Sequence, residues 1–210
     1  MPVRVLLADD HVIVRKGLAL LLAGAGFEIV GEASDGHEAV KLACRLEPDV
    51  AVLDLVMPLL NGLDAAREML AGFPRMKIVL LTSRQEEHMV LEALQAGIRA
   101  CVLKNHQAED LIRAIQDVVA GGVYLSPGMS RSLAEAYRAR SAAPVDPLSV
   151  RERQVLQLIA EGKRTREIAE LLGVSVKTAE SHRTNITKKL GISQTAGLVR
   201  YALQRGLSQL

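Results

Sequence analysis

Tryptophan is absent from this 210-residue chain and aromatics make up only 2% of it, which leaves little from which to build an aromatic-lined ligand pocket. Cysteine is scarce too. Cys44 and Cys101 lie in apolar surroundings without paired Cys/His spacing, which excludes a disulfide framework and a zinc site, and both are read as core residues. No apolar run approaches the ~18 residues of a membrane span, and the N-terminus lacks the basic head, apolar middle and small-residue cleavage site of a secretory leader. The cytoplasm is the expected location, with no membrane partner. Walker and GxGxxG loops are missing, which argues against a nucleotide-using enzyme.

What is present is a 49% hydrophobic chain of mixed charge, fit for one large soluble domain or two modest ones. Its net charge of +2 conceals an asymmetry. Residues 1–122 carry 12 Lys+Arg against 17 Asp+Glu, whereas residues 148–210 carry 11 against 5. An acidic front and a compact basic rear imply different partners, the basic part having the footprint of a nucleic-acid binder.

Strand-like runs recur at 3–8, 28–33, 50–54, 77–82 and 100–104, and helix-period segments separate them. Strict alternation predicts α/β architecture: a doubly wound, five-stranded parallel sheet covered on both faces. In such a sheet ligands collect beyond the carboxyl ends of the strands. Asp9 and Asp10 end the first strand, Asp54 the third, Thr82 the fourth and Lys104 the fifth. Three carboxylates meeting there would repel one another unless a cation sat among them, and an all-oxygen set selects a hard ion such as Mg²⁺. Each residue alone has a plainer role: Asp10 as a helix N-cap, Asp54 as a turn former before Pro58, Thr82 as a cap, Lys104 as a solvated strand end. Their joint placement on successive strand tips favours the pocket.

Asp9 and Asp10, Asp54 within DLVMPLLNG, Thr82, and Lys104 within CVLKN resemble the receiver domain of bacterial two-component response regulators over about 120 residues. The resemblance implies a flavodoxin-like fold. It makes Asp54 the phosphoacceptor, gives Mg²⁺ to Asp9, Asp10, Asp54 and the backbone carbonyl of Val56, and puts Thr82 and Lys104 on the phosphoryl group. Two positions depart from the pattern. Cys101 stands where such receivers often carry an aromatic switch residue, and Asn105 follows the lysine where many have proline, which leaves the isomer of that peptide open.

Residues 123–147 read as a linker, partly helical around 133–140. From Leu148 the pattern is purely helical. Ser149 and Glu152 have capping-box spacing, and TREIAELLG, a short turn and VKTAESHRTNITKKLG form a helix-turn-helix. On the second of these helices Ala179, His182, Ile186 and Leu190 share the core side, with His182 read as a core histidine. Lys177, Ser181, Thr184 and Lys188 fall opposite, flanked by Glu180 and Asn185. Small polar groups framed by lysines suit base edges and phosphates, although an ordinary solvated face has the same polarity.

The segment from Leu148 to Leu207 resembles the LuxR-type helix-turn-helix domain, and the two resemblances together indicate the NarL/FixJ subfamily of response regulators. By position, Lys177, Glu180, Ser181 and Thr184 would face bases, and Lys188 and Lys189 the DNA backbone. Arg164 replaces the usual small polar cap of the first helix of the motif, so Thr165 is expected to cap instead. The resemblance implies partners as well: a sensor histidine kinase, double-stranded promoter DNA bound by a homodimer, and RNA polymerase. Phosphorylation would alter domain docking or dimerisation, and the chain would be a regulator, not an enzyme. An Asp-nucleophile phosphatase of the haloacid dehalogenase type needs a second acid two residues on, where this chain has Val56. A ligand-gated quorum-sensing regulator would need an aromatic-lined pocket, for which this chain offers little material.

Overall fold

A computed structural model of the chain describes residues 1–83, 87–105, 108–129 and 147–208. The N-terminal domain is a parallel sheet of β1 (Arg4–Ala8), β2 (Glu28–Ala33), β3 (Val50–Asp54), β4 (Lys77–Thr82), β5 (Ala100–Leu103) and β6 (Tyr124–Leu125), in the order β2-β1-β3-β4-β5-β6. Helices α1 (Val12–Gly24), α2 (Gly36–Leu46), α3 (Gly62–Gly72), α4 (Glu87–Gln95) and α5 (Ala108–Val119) connect the strands. The five expected strands are all there. The sixth corrects the count: its two residues pair with Ala100 and Cys101, inside the stretch read as linker. A two-residue strand between Gly-Gly and Ser-Pro-Gly carries no periodicity to betray it, yet Tyr124 donates a 2.8 Å hydrogen bond to Asp110 and Met129 is fully buried. The N-terminal domain therefore continues past Gly122, and the helical patch expected at 133–140 lies outside the described residues.

Strand alternation divides the core. Leu6, Ala8, Leu53, Ile78, Leu80 and Leu103 face one way, against α2 and α3. Val5, Leu7, Val52, Val79, Leu81 and Val102 face the other, against α5 and the buried side of α1. Both faces being covered, β3 is buried along its whole length. Cys101 is buried as expected, but Cys44 is exposed. Ala39 and Ala43 define the buried stripe of α2, and Cys44, one position further round the helix, faces water.

The C-terminal domain consists of α6 (Val150–Ala160), α7 (Thr165–Leu171), α8 (Val176–Leu190) and α9 (Thr195–Gln204), packed around Leu156, Leu158, Ile186 and Ala202. The Ser149/Glu152 capping box forms as expected. Thr165 does not cap α7; it is the first helical residue, and Arg164 occupies the cap position. An arginine side chain has no acceptor, so only the reciprocal half of a box exists, in which the Arg164 amide donates to Glu167 at 2.7 Å. His182 is half-buried, not a full core residue.

Helix α6 is the junction of the two domains. Glu152 to Ile159 are all buried, because one face meets its own bundle and the other meets α3 and the β3–α3 loop of the N-terminal domain.

That loop closes tightly on β3. A Cβ added at Gly62 would lie 2.1 Å from the carbonyl oxygen of Asp54, which is backbone and cannot swing away. Gly62→Ala is expected to destabilise the N-terminal domain by about 1–3 kcal/mol, as overpacking does. Urea melts measure this, and an unchanged midpoint would show that the glycine is not needed for the close approach.

Candidate functional site

Strand order reverses between β1 and β3, and the residues beyond their carboxyl ends converge there. Asp9 and Asp54 are buried, and one ligand oxygen from each of Asp9, Asp10 and Asp54, with a ring nitrogen of His11, all fall within 4.8 Å of one another. Lys104, just past β5, places its ammonium 2.7 Å from Asp9 Oδ2 and 2.8 Å from Asp54 Oδ2. Its amide donates to the carbonyl of Thr82 at 2.8 Å, which ties the tips of β4 and β5 together, and Thr82 is itself buried. The five strand-tip residues expected from the sequence thus share one end of the sheet.

Asp10 does not cap α1. His11 occupies the cap position without a side-chain bond, and its amide donates to Asp9 Oδ1 at 2.8 Å. His11 is the member of the cluster that sequence reasoning passed over. Its Nδ1 lies 2.8 Å from Asp10 Oδ1, and only its place beside the Asp pair could have drawn attention to it.

Charge is unbalanced in this pocket. Burial pushes the Asp54 carboxyl up to about 6, against the pull of Lys104 and with help from Asp9 and Asp10. Burial works the other way on Lys104, but Asp54 and Asp9 outweigh it and hold the ammonium above its ordinary range. Asp10 Oδ1 and Asp54 Oδ2 are buried and accept no well-aligned hydrogen bond. The His11 ring and the Lys104 ammonium lie 2.8 Å from these two oxygens. Hard oxygen donors left without hydrogen-bond donors fit a small divalent cation.

Cys101 lies in β5 with its thiol pushed up to about 12 by burial, a neutral packing group at the aromatic-switch position. No cis peptide occurs among the described residues, so the bond after Lys104 is trans.

On α8, Lys177, Glu180, Ser181, Thr184, Asn185 and Lys188 are exposed, while Ala179 and Ile186 are buried. Ser175 caps the helix by accepting from the Thr178 amide. Ser181 and Thr184 donate their hydroxyls to the carbonyls of Lys177 and Glu180, at 2.9 and 3.0 Å. Lys189 is diverted: its ammonium lies 2.6 Å from Glu152 within the same domain. Burial acts to raise the Glu152 carboxyl, but the bonds from Lys189 and Ser149 together outweigh it and hold it below the ordinary range. The N-terminal domain leaves the outward face of α8 open.

Its hydrogen-bonded contact is with α6, a helix that no sequence motif marks as an interface. Gln157 accepts from the Asn61 amide and side chain, at 3.0 and 3.1 Å, and donates to the carbonyl of Met57 at 2.8 Å. Arg153 reaches Asp64, Gln154 donates to Glu68 at 2.8 Å, and the carboxylate of Glu161 accepts from the Leu59 amide at 3.0 Å. Polar residues on one side of a helix read as a solvated face, and nothing in the sequence distinguishes a buried polar partner from water. Burial raises the Glu161 carboxyl above its ordinary range, against the hydrogen bonds from Gln157 and Leu59.

Comparison with known proteins agrees with this geometry. Residues 5–116 match the response regulator receiver domain, and residues 146–202 match the bacterial regulatory proteins of the luxR family. The chain is 36% identical to the transcriptional regulatory protein MctR of Rhizobium johnstonii, over 98% of this chain and 95% of that one. It is 38% identical to the oxygen regulatory protein NreC of Staphylococcus carnosus, over 97% and 98%. Among solved structures, the RcsB response regulator of Salmonella typhimurium superposes with a TM-score of 0.69 at 30% identity, over 97% of this chain and 98% of that one. RcsB has also been solved as a complex with DNA. With a receiver and a LuxR-type helix-turn-helix in one chain, the protein belongs to the two-component response regulators of NarL/FixJ type.

Proposed function

We propose that this regulator accepts a phosphoryl group on Asp54 from a sensor histidine kinase and thereby controls binding of α8 to promoter DNA. The observation that carries the reading is a buried Asp54 carboxylate 2.8 Å from Lys104, beside two further acids at the strand tips. An Asp54 oxygen attacks phosphorus as the bond to the donor nitrogen breaks. The Lys104 ammonium lies where it can neutralise the oxygens of the transferring group, and Thr82, at the neighbouring tip, offers its hydroxyl. Asp9, Asp10, Asp54 and the carbonyl of Val56 would hold Mg²⁺, which when bound supplies charge neutralisation for the transferring phosphate. Apart from its own phosphoryl uptake and loss the chain is a regulator, not an enzyme. It works in the cytoplasm, and no helix among its described residues is long and apolar enough to cross a membrane. It binds DNA as a homodimer, with RNA polymerase as a further partner at the promoter.

Acetyl phosphate with Mg²⁺ is expected to label the wild type and leave Asp54→Asn unlabelled. EDTA, or Asp9 and Asp10 changed to Ala, is expected to suppress the label. Equal labelling of wild type and Asp54→Asn would end the phosphoacceptor assignment.

The same carboxylate makes a stability prediction. Its folded pKa of about 6 stands above the unfolded value of 3.8, so the metal-free fold binds the proton more tightly and gains stability as pH falls between those values. Above pH about 6 the buried charge is a cost of up to about 3 kcal/mol. In EDTA near neutral pH, Asp54→Asn is therefore expected to melt higher than wild type, with the gap narrowing towards pH about 5. Mg²⁺ should raise the melting temperature of the wild type alone, and a gap that does not vary with pH would refute the assignment of its cause.

On α8, Lys188→Ala is expected to weaken binding about equally across operators and flatten the salt dependence by about 0.9 log unit per log unit of salt. Ser181→Ala and Thr184→Ala should instead change base preference at one or two positions, at ~1–3 kcal/mol each, with little change in salt slope. Their hydroxyl protons being committed to the helix backbone, acceptor lone pairs face outward, which suits the amino groups of cytosine or adenine. Selection from randomised operators measures this, and unchanged preferences would mean that this face does not read bases.

A further inference from the structure

Helix α6 grips the loop that carries the phosphoacceptor's neighbours. Gln157 and Glu161, one helical turn apart and joined by a 2.9 Å hydrogen bond, between them take the carbonyl of Met57 and the amides of Leu59 and Asn61. Leu59 is held with φ at +67°, a left-handed conformation that a leucine adopts only under external constraint. Its side chain packs against the core of the DNA-binding domain, and its amide lies 3.0 and 3.2 Å from the two Glu161 oxygens. The same glutamate lines a cavity that borders the functional pocket. Asp10, Val56, Met57 and Pro58 on one side, with Glu161 and Ser208 on the other, line a cavity of about 120 Å³. A carboxylate of the DNA-binding domain thus stands in the wall of a space shared with two of the groups assigned to Mg²⁺.

We propose that Glu161 is a positioning residue for phosphoryl transfer, a carboxylate through which the docked DNA-binding domain opposes the arrival of a phosphoryl group at Asp54 while favouring a cation beside Asp10. The proposal rests on the reading of Asp54 as phosphoacceptor. Phosphorylation adds negative charge next to a pocket that already holds three carboxylates, and Glu161, across the adjoining cavity from Asp10, brings a further one near only while α6 is docked. A phosphorylated receiver and a docked α6 therefore disfavour each other. The coupling is reciprocal, so whatever withdraws α6 makes Asp54 a better acceptor. A divalent cation responds with the opposite sign, since it is attracted by the same charge.

Full-length wild type, Glu161→Gln and the double variant Glu161→Gln/Gln154→Ala separate charge from general loosening of the interface. Glutamine retains an acceptor for the Leu59 amide, whereas Gln154 bonds Glu68, which is not among the groups lining the cavity. Two quantities are measured: the rate of labelling by subsaturating acetyl phosphate, and Mn²⁺ affinity without phosphodonor, followed by electron paramagnetic resonance. Glu161→Gln is expected to label on the order of fivefold faster and to bind Mn²⁺ several-fold more weakly, while adding Gln154→Ala to Glu161→Gln changes neither quantity further. Equal rates and affinities in wild type and Glu161→Gln would overturn the proposal. So would a double variant that labels faster and binds Mn²⁺ more weakly than Glu161→Gln, because loosening would then act without the Glu161 charge. If the wild type takes no label, the phosphoacceptor reading fails, while the Mn²⁺ comparison still decides whether Glu161 acts on the pocket.

Discussion

One lysine stands among three acids. Lys104 contacts Asp9 and Asp54 at under 3 Å, and Asp10 lies in the same cluster, so the pocket carries more negative than positive charge. A surface pocket would let water screen the excess. Here Asp9 and Asp54 are almost completely buried, and burial makes each ionised carboxylate expensive. The fold tolerates the arrangement because the sheet beneath is packed on both faces and holds the strand tips in place. Gly62 closing onto the Asp54 carbonyl, and the Lys104 amide onto Thr82, are parts of that restraint. The unpaired charge is also what gives the pocket its chemistry, since it creates a need for a cation and for a neutralised Asp54 that binding can satisfy.

The tip residues were legible in the sequence because parallel strands buried on both sides announce themselves as short apolar runs, and polar residues at their ends then have one place to go. Asp9, Asp10, Asp54, Thr82 and Lys104 follow from that logic. The exposed side of α8 was legible for a similar reason, as a helix of known period with a clear apolar stripe. Where two readings shared one pattern, legibility failed. Lys189 lies near the basic face, yet Glu152 claims it, an intradomain pairing that depends on how α6 and α8 cross. Cys44 sits among apolar neighbours in sequence but one position off the buried stripe of α2. Strand β6 is too short to have a period at all.

The largest omission, the contact between the domains, has a different cause. Arg153, Gln154 and Gln157 are the residues one would assign to solvent, and in the folded chain they are buried against backbone amides, carbonyls and acids of the receiver. A hydrophobic interface would have left an apolar stripe on two sides of α6. A polar one leaves none, because hydrogen-bonding groups are satisfied equally well by water or by a partner.

That polarity bears on what the contact can do. An apolar interface of the same extent would be driven together by the hydrophobic effect regardless of events at Asp54. An interface of hydrogen bonds and charged groups exchanges partners with water at small net cost, so its balance is easily moved by one added charge. Its densest bonds fall on residues 57–61, the segment that follows Asp54. Leu59, in its left-handed conformation, is part of that segment, and its amide is held by Glu161. A receiver whose output depends on phosphorylation needs two arrangements close in free energy, and a contact made of polar bonds to the loop beside Asp54 is of the kind that one added charge can shift.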